Sequence, residues 1–331
     1  AASPYPFAGT EPRPSARIGV IVMHGAQRDG HDYLCRMMNA VLRNKQAGGL
    51  WTGSLEAAAS RVVVVAPQVN LSWAHRSVAL RNAYLLSWAR TSLVDDTEQE
   101  TLLSWAAGAN SSDVISASLF DVLDDFVIAM ANRKLYPNMH SIMVVGHSKG
   151  GSVVQRYALT TRVNSRLPPG FDISFHAANP AAYVYLSPER PIRGRQDCEY
   201  SNNATIAQTS YSFKLPSAAC SSPGYCAEEE ALAPGFCAEA DHWPYGLGGR
   251  FPDYVTRMWG GDMKGLEAMR TAYLRKRVTI YSGSFDTCND VLHERLSCEP
   301  LGCRLFDHKL EATCAAMRQG PNRMARAHAY A

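Results

Sequence analysis

The sequence predicts an α/β fold with a mostly parallel sheet and helices on both of its faces. Two near-continuous apolar segments, residues 17–23 and 61–66, flank a segment with helical apolar spacing at residues 31–46. Strands that are apolar at successive positions are typical of parallel sheets buried on both faces. A third apolar segment, residues 142–145, leads into Gly-His-Ser-Lys-Gly at residues 146–150 and then into a second helical pattern.

The remaining patterns extend this alternation along the chain. We predict a helix at residues 120–134, a strand at 173–177, a helix at 262–276 and a last strand at 277–282. Residues 70–118 are predicted to form long loops and short helices. Residues 187–250 carry four cysteines and many prolines, glycines and tyrosines, which favours a disulfide-pinned cap insertion over a second core. We therefore predict one domain over residues 1–331.

The composition argues against several classes of protein. With 331 residues, 46% hydrophobic and 19% charged, the chain can bury a large core, so disorder is not predicted. A net charge of +3 without a long basic segment gives no reason to expect a nucleic-acid partner. No apolar segment approaches the roughly 20 residues that a membrane-spanning helix needs, so no membrane span is predicted.

Cysteines and glycosylation sequons predict a secreted glycoprotein. The nine cysteines form no Cys-x-x-Cys pair and crowd into the second half of the chain, which favours disulfides over a metal site. Sequons begin at Asn70, Asn110 and Asn203. The chain begins Ala-Ala-Ser-Pro, as a mature protein does after loss of a signal peptide, and as a trimmed chain also would. The odd cysteine is free or paired with something outside this chain.

The Gly-x-Ser-x-Gly segment predicts a nucleophile. Ser148 stands between an apolar strand and a helix, as a nucleophile elbow requires. Gly146 and Gly150 permit the sharp turn, because a Cβ at either position would collide with a neighbouring strand or helix. The helix N-terminus then directs N–H groups at the site. The alternative is a glycine-rich turn with an incidental serine. His147 is expected to face away from Ser148 and to pack under the elbow.

An attacking serine also needs an oxyanion hole. The first predicted donor is the backbone N–H of Lys149, directly after the nucleophile. The second comes from the loop after the first strand, His24-Gly25-Ala26-Gln27, which has the His-Gly form found in lipases and esterases. We predict Ala26 as this donor, with Gln27 as the alternative. A plain strand-ending turn is the other interpretation of this segment.

Asp286, shortly after the last predicted strand, is the predicted acid of the triad. The alternative is that Asp286 or Asp290 caps a following helix. Of the later histidines, His293 is too close to Asp286 for a helix and a strand to intervene. His308 and His328 lie in segments with helical patterns, where a solvated or structural role is the first interpretation. The triad histidine is therefore expected beyond residue 331, and otherwise at His308 or His328.

Six segments resemble the α/β-hydrolase superfamily, and in particular the secreted esterase-like and polyester-depolymerase-like hydrolases of fungi, bacteria and protists. These segments are residues 23–29, 146–151, 155–158, 178–183, 243–247 and 319–323. They follow the order of the family over nearly the whole chain. The resemblance implies an α/β-hydrolase fold, Ser148 as nucleophile, Asp286 as acid, and a last strand with a Gly-His motif after residue 323. Lys149 stands where a small residue such as alanine is commoner.

Together these features predict a secreted serine hydrolase that cleaves a small-molecule or polymeric carboxylic ester through an acyl-enzyme on Ser148. No metal or organic cofactor is predicted. Trp73, Trp88 and Trp105 are expected to line the substrate pocket with the cap, or equally to belong to the core. The alternative function is a catalytically inactive hydrolase-fold glycoprotein that serves as a binding or structural subunit of an extracellular assembly. A C-terminal fragment or another extracellular chain is the expected protein partner.

Overall fold

The structure is a computed structural model that describes residues 11–46, 54–71, 86–88, 103–112, 116–193, 211–214 and 241–282. Its elements, in chain order, are β1 Ile18–Met23, α1 Gly30–Gln46, α2 Leu55–Ser60, β2 Val62–Val65, β3 Asn70–Leu71, β4 Ser87–Trp88, α3 Leu119–Met130, β5 Ser141–His147, α4 Lys149–Thr160, β6 Asp172–Ala178, β7 Arg190–Arg193, β8 Tyr211–Lys214, α5 Asp253–Trp259, α6 Met263–Leu274 and β9 Arg277–Tyr281. Two short 3-10 helices lie at Trp105–Ala107 and Val163–Arg166.

The main sheet has five parallel strands in the order β2-β1-β5-β6-β9. Its register aligns the carboxyl ends of the four strands β1, β5, β6 and β9: Met23 pairs with Gly146, and Ala178 pairs with both His147 and Tyr281. The loops that follow these strands therefore leave from one edge of the sheet, which is where parallel α/β sheets carry their sites. The predicted parallel sheet is confirmed.

Helices cover both faces of this sheet. On one face, Val20 and Val22 of β1 pack with Met37 and Val41 of α1. Alternate residues of β1, including Ile21, point to the opposite face and join the main core with α3 and α4. This alternation is what strand geometry requires, and burial on both faces explains the continuous apolar strands of the sequence.

Helix α3 shows why one predicted boundary was wrong. The helix begins with a capping box, in which the Ser118 hydroxyl accepts from Phe120 N and the Asp121 carboxylate accepts from Ser118 N. It was predicted to continue to residue 134 but ends at Met130. The Asn132 side chain accepts a hydrogen bond from the Lys134 backbone, and such a local bond competes with helix continuation.

In the described parts of the segment predicted as a cap, residues 187–193, 211–214 and 241–250, strands β7 and β8 form an antiparallel pair that the sequence did not predict. The short helices α2 and α5 were also missed. Residues 243–247 are buried against the core, with Trp243 only 3% exposed. The predicted disulfides lie outside the described residues, because Cys35 is the only cysteine within the described ranges, and it is free and exposed. Among the helices that the structure describes, none has the length and apolarity to cross a membrane.

A buried polar cluster joins α3, α4, α5 and the start of β9. Asp124 is only 4% exposed and accepts hydrogen bonds from the Tyr157 hydroxyl (2.7 Å), the Thr161 hydroxyl (2.7 Å) and the Tyr254 hydroxyl (3.0 Å). Burial raises the pKa of Asp124, and these three donors oppose that shift. Next to them, Lys276 donates to two carbonyl oxygens at the end of α4, at 2.6 Å each, and burial lowers its pKa to about 7. The cluster connects four elements that the chain separates widely.

Candidate active site

Ser148 occupies the sharp turn between β5 and α4. Its backbone has φ 57° and ψ −123°, a conformation that costs a non-glycine residue of order 1–3 kcal/mol and is characteristic of active-site residues. The serine is half-buried at the carboxyl edge of the sheet and precedes the first residue of α4. The structure therefore confirms the strand, tight turn and helix predicted from the Gly-x-Ser-x-Gly segment, and this geometry is that of a nucleophile elbow.

Three glycines allow the elbow to form. A Cβ on Gly146 would overlap the carbonyl group of Gly150 and would lie 2.9 Å from a methyl of Val154. A Cβ on Gly150 would lie 2.6 Å from the carbonyl oxygen of His24, and one on Gly151 would lie 2.8 Å from that of Ala178. Helix α4 therefore approaches the ends of β1, β5 and β6 more closely than any side chain permits.

The loop after β6 holds the backbone of Ser148 in place. Ser148 N donates to the carbonyl of Ala178 at 3.0 Å, and Ala181 N donates to the carbonyl of Ser148 at 3.0 Å. The neighbouring Asn179 also has a positive φ, 40°, and its N–H donates to the carbonyl of Tyr281 at the end of β9 at 2.7 Å. These bonds join the ends of β5, β6 and β9 around the serine and keep its strained turn fixed.

The turn after β1 lies beside Ser148, as an oxyanion hole requires. Arg28 N donates to the carbonyl of Gly25 at 3.2 Å, so Ala26 and Gln27 form the tip of this turn. A Cβ on Gly25 would lie 3.8 Å from the Cβ of Ser148, which places the turn next to this serine. Within the described part of the chain, neither the N–H of Ala26 nor that of Gln27 has an acceptor. Both predicted donors are thus available, and the choice between them stays a prediction.

His24 fixes this turn to the segment that follows β2. Its ring is fully buried; Nδ1 lies 2.8 Å from the carbonyl of Gly25, and Nε2 accepts from Val69 N at 3.0 Å. Only the neutral tautomer with the proton on Nδ1 makes both bonds. Gln68 adds a second connection, because its side-chain amide accepts from Gly30 N and donates to the carbonyl of Arg28. The His-Gly pair therefore belongs to a loop that is held by hydrogen bonds to Gln68 and Val69.

Protonation of His24 is expected to weaken the fold at acidic pH. Burial lowers the pKa of His24 below 6.5, so between the two pKa values the unfolded chain binds more protons than the folded one. The stability that neutral His24 contributes is present above pH 6.5 and is lost as the pH falls below it. We predict that His24→Gln costs about 1–3 kcal/mol at pH 7, and that the difference from wild type shrinks towards pH 5. Urea denaturation across this range measures the difference; a constant value would contradict the prediction.

Lys149 directs its side chain away from solvent. The residue is 6% exposed, and its ammonium lies over the indole of Trp105 at 5.6 Å from the ring centre. Trp105 also contacts the ring of His24, with ring centres 5.4 Å apart. Trp88 and Trp105 are both buried in the core, whereas Trp73 lies outside the described residues. The indole therefore connects Lys149, the residue after Ser148, to His24 at the start of the turn after β1.

Near Ser148, one side chain lies elsewhere than expected and another was not expected at all. His147 does not pack under the elbow: it is exposed, and its Nδ1 lies 3.4 Å from the hydroxyl of Tyr33 in α1. His147 lies two residues after Val145, so its side chain is on the face of the sheet that α1 covers. It is the last residue of β5, where α1 no longer covers the sheet. Tyr33 was not predicted as a site residue. No motif indicated it, because the contact joins positions 114 residues apart in the chain.

Arg156 lies in the resembling segment 155–158, but no role in the site was predicted for it from the sequence. It is fully buried on α4, where its Nε donates to the carbonyl of Pro244 and its Nη1 to the carbonyl of Ala106, each at 3.1 Å. The indole nitrogen of Trp243 donates to the carbonyl of Ala107 at 2.8 Å. These bonds hold residues 104–108, including the Trp105 that contacts Lys149, against helix α4, which starts directly after Ser148.

Several predicted residues lie outside what the structure describes. Asp286, His293, His308, His328 and the sequon residue Asn203 all fall outside the described residues. Asn70 is in β3, and Asn110 is half-buried with its side-chain nitrogen donating to the Asp253 carboxylate at 2.9 Å. Glycosylation would attach the sugar to that same nitrogen, next to the Asp253 carboxylate. In the described ranges, no three His, Cys, Asp or Glu side chains group as ligands for a metal ion.

Comparisons with known proteins find likeness only at the level of solved structures. No protein-family model and no curated protein matches the chain. It is similar to LpqC, the poly(3-hydroxybutyrate) depolymerase from Bordetella parapertussis, with 17% identity, 96% of this chain and 67% of that chain covered, and a TM-score of 0.43. It is also similar to poly(aspartic acid) hydrolase-1 from Sphingomonas sp. KT-1, with 18% identity, 97% and 74% covered, and a TM-score of 0.44. The assignment of the fold rests on the strand order and the elbow.

Proposed function

We propose that the protein is a serine hydrolase that cleaves a carboxylic ester through an acyl-enzyme on Ser148. The observation that carries the proposal is the strained conformation of Ser148 at the carboxyl edge of a parallel sheet. Three glycines and the hydrogen bonds to Ala178 and Ala181 hold that conformation, although its backbone strain lowers the stability of the folded state. A strained, half-buried serine in this position favours the enzyme over the catalytically inactive alternative.

The reaction starts with attack of the Ser148 oxygen on the ester carbonyl. A carbon–oxygen bond forms, the serine proton passes to a general base, and the carbonyl oxygen becomes negatively charged. The backbone N–H groups of Lys149 and Ala26 stabilise that oxygen; the N-terminus of α4 adds its dipole. The bond to the alcohol then breaks, and the alcohol takes a proton from the protonated base. Water then attacks the acyl-enzyme carbonyl and gives a proton to the base. The bond to the Ser148 oxygen breaks, the serine takes that proton back, and the carboxylic acid is released.

Asp286 is proposed as the residue that orients the base. Strand β9 ends at Tyr281, whose carbonyl is bonded to Asn179 beside the elbow. Asp286 follows five positions later in the sequence, and five residues can span at most roughly 18 Å, so Asp286 is within reach of the elbow. The base is proposed to be His308, His328 or a histidine that a further segment or an associated chain supplies. His24 does not serve, because both of its ring nitrogens are engaged in holding the oxyanion turn.

Secretion and glycosylation are proposed on the evidence of the sequence. Eight cysteines in the second half of the chain and sequons at Asn70 and Asn203 support an oxidising, extracellular location. Asn110 is proposed as the least used of the three acceptors because its side chain is half-buried and packs beside Asp253, which leaves little room for a sugar.

Trapping the covalent intermediate tests the proposal. The protein is mixed with p-nitrophenyl acetate, quenched in acid, digested and examined by mass spectrometry. We expect one acetyl group on Ser148 in wild type and none in Ser148→Ala. Ser165→Ala is the control and is expected to match wild type, because Ser165 is exposed and lies beyond the opposite end of α4. Acetylation that persists in Ser148→Ala, or that never reaches the peptide containing Ser148, would contradict an acyl-enzyme at this residue.

A further inference from the structure

The hydroxyl of Tyr33 and the nucleophile border one small space beside Gly25. A Cβ built on Gly25 would lie 3.2 Å from the Tyr33 hydroxyl oxygen and 3.8 Å from the Cβ of Ser148. An atom at that point would therefore be within hydrogen-bonding reach of the phenol and in van der Waals contact with the serine. The space exists because residue 25 has no side chain.

Tyr33 is held in this position by the start of α1. Its backbone N–H donates to the carbonyl of Asp29 at 3.2 Å, and its ring packs in the cluster that α1 forms with Val20 and Val22. The side chain is half-buried, so its hydroxyl reaches the carboxyl edge of the sheet from a packed helix and not from an exposed loop. A donor on a rigid element suits a site that must be organised before substrate binds.

The hydroxyl has a proton to donate, and among the described residues its side-chain partner is a weak one. Burial, and next the nearby Asp29 carboxylate, raise the pKa of Tyr33 above 10, and a hydrogen bond from the Gly25 backbone opposes this shift in part. The phenol is thus neutral at pH 7. It lies 3.4 Å from Nδ1 of His147, which is long for a hydrogen bond that a hydroxyl donates. A substrate oxygen can replace this contact at little cost.

We infer that the Tyr33 hydroxyl donates a hydrogen bond to the oxyanion formed at Ser148, as a side-chain donor in addition to the two backbone N–H groups. This inference rests on the proposed function. The oxyanion carries its full charge only during the reaction, so the bond strengthens in the transition state and acts on kcat more than on KM. No proton leaves the tyrosine; the step needs only its O–H group.

Tyr33→Phe removes the oxygen and leaves the ring. We expect kcat for p-nitrophenyl acetate to fall about 10²-fold, with KM within about twofold of wild type and an unchanged midpoint of urea denaturation. Tyr136→Phe is the matched control, because Tyr136 is buried far from the carboxyl edge and its pKa is also raised by burial. Gly25→Ala, which fills the space while Tyr33 remains, is expected to reduce kcat at least as much.

The outcomes separate this inference from the proposed function. If wild type hydrolyses the ester and Tyr33→Phe matches it in kcat, the donor role of Tyr33 is overturned while the enzyme stands. The same conclusion follows if Tyr136→Phe loses as much activity, or if the loss in Tyr33→Phe tracks a lowered denaturation midpoint. If wild type neither hydrolyses the ester nor forms the acetyl-enzyme, both proposals fall.

Discussion

A Gly150→Ala substitution is expected to destabilise the protein by about 3 kcal/mol or more and to remove the Ser148 site. Gly150 is the second residue of α4, where alanine is the better helix former by about 1 kcal/mol. The added Cβ would nevertheless lie 2.6 Å from the carbonyl oxygen of His24 and closer still to that of Met23. Both carbonyls belong to the end of β1, so either the helix or the strand must move away from the elbow.

Urea denaturation measures this loss, and Gly170→Ala provides the matched control. Gly170 has a φ of 75° and no heavy atom within 4 Å of an added Cβ, so only backbone strain of about 1–2 kcal/mol opposes alanine there. We expect Gly150→Ala to cost clearly more than Gly170→Ala. If the two variants lose the same free energy of unfolding, the close approach of α4 to β1 does not limit residue 150 to glycine.

An Asp124→Ala substitution is expected to cost about 3–5 kcal/mol of unfolding free energy. The carboxylate is the acceptor for the hydroxyls of Tyr157, Thr161 and Tyr254. Its removal leaves these buried donors without that acceptor, and each unsatisfied donor costs about 1–3 kcal/mol. The loss of charge also removes the carboxylate that favours the protonated form of the buried Lys276.

Tyr254→Phe is the comparison that identifies the cause. It removes one of the three donors and leaves the carboxylate with the other two, so we expect a loss of about 1 kcal/mol. Both variants are measured by urea denaturation at pH 7. A loss below about 1 kcal/mol for Asp124→Ala, or equal losses for the two variants, would show that the cluster does not connect the helices as described.

The parallel sheet and the elbow were predictable because their signals are local. Continuous apolar segments indicate strands buried on both faces, and the spacing of Gly146 and Gly150 around Ser148 indicates a turn where backbones approach closely. The structure confirms these expectations in the five strands of the sheet and in the positive φ of Ser148. The position of the His-Gly turn beside Ser148 follows from the same topology, because β1 and β5 are neighbours.

The polar contacts around the sheet and the elbow were not predictable, because they join residues that are far apart in the sequence. Arg156 looks like a surface residue by type, yet it is buried because two distant carbonyls accept its N–H groups. Tyr254 meets Asp124 across 130 positions of sequence, and Tyr33 meets His147 across 114. The prediction that His147 is packed under the elbow was wrong. Strand alternation predicts which face of the sheet a side chain is on, but it does not predict where the helix that covers that face ends.

Labelling with a fluorophosphonate probe tests the central claim most directly, because such probes react with serines that a base has activated. Wild type and Ser165→Ala are expected to label at one site, and Ser148→Ala is expected not to label. This result would establish Ser148 as an activated nucleophile and would show that a base is present in the folded protein. Absence of labelling in wild-type protein whose folding is verified by cooperative urea denaturation would contradict the proposed hydrolase.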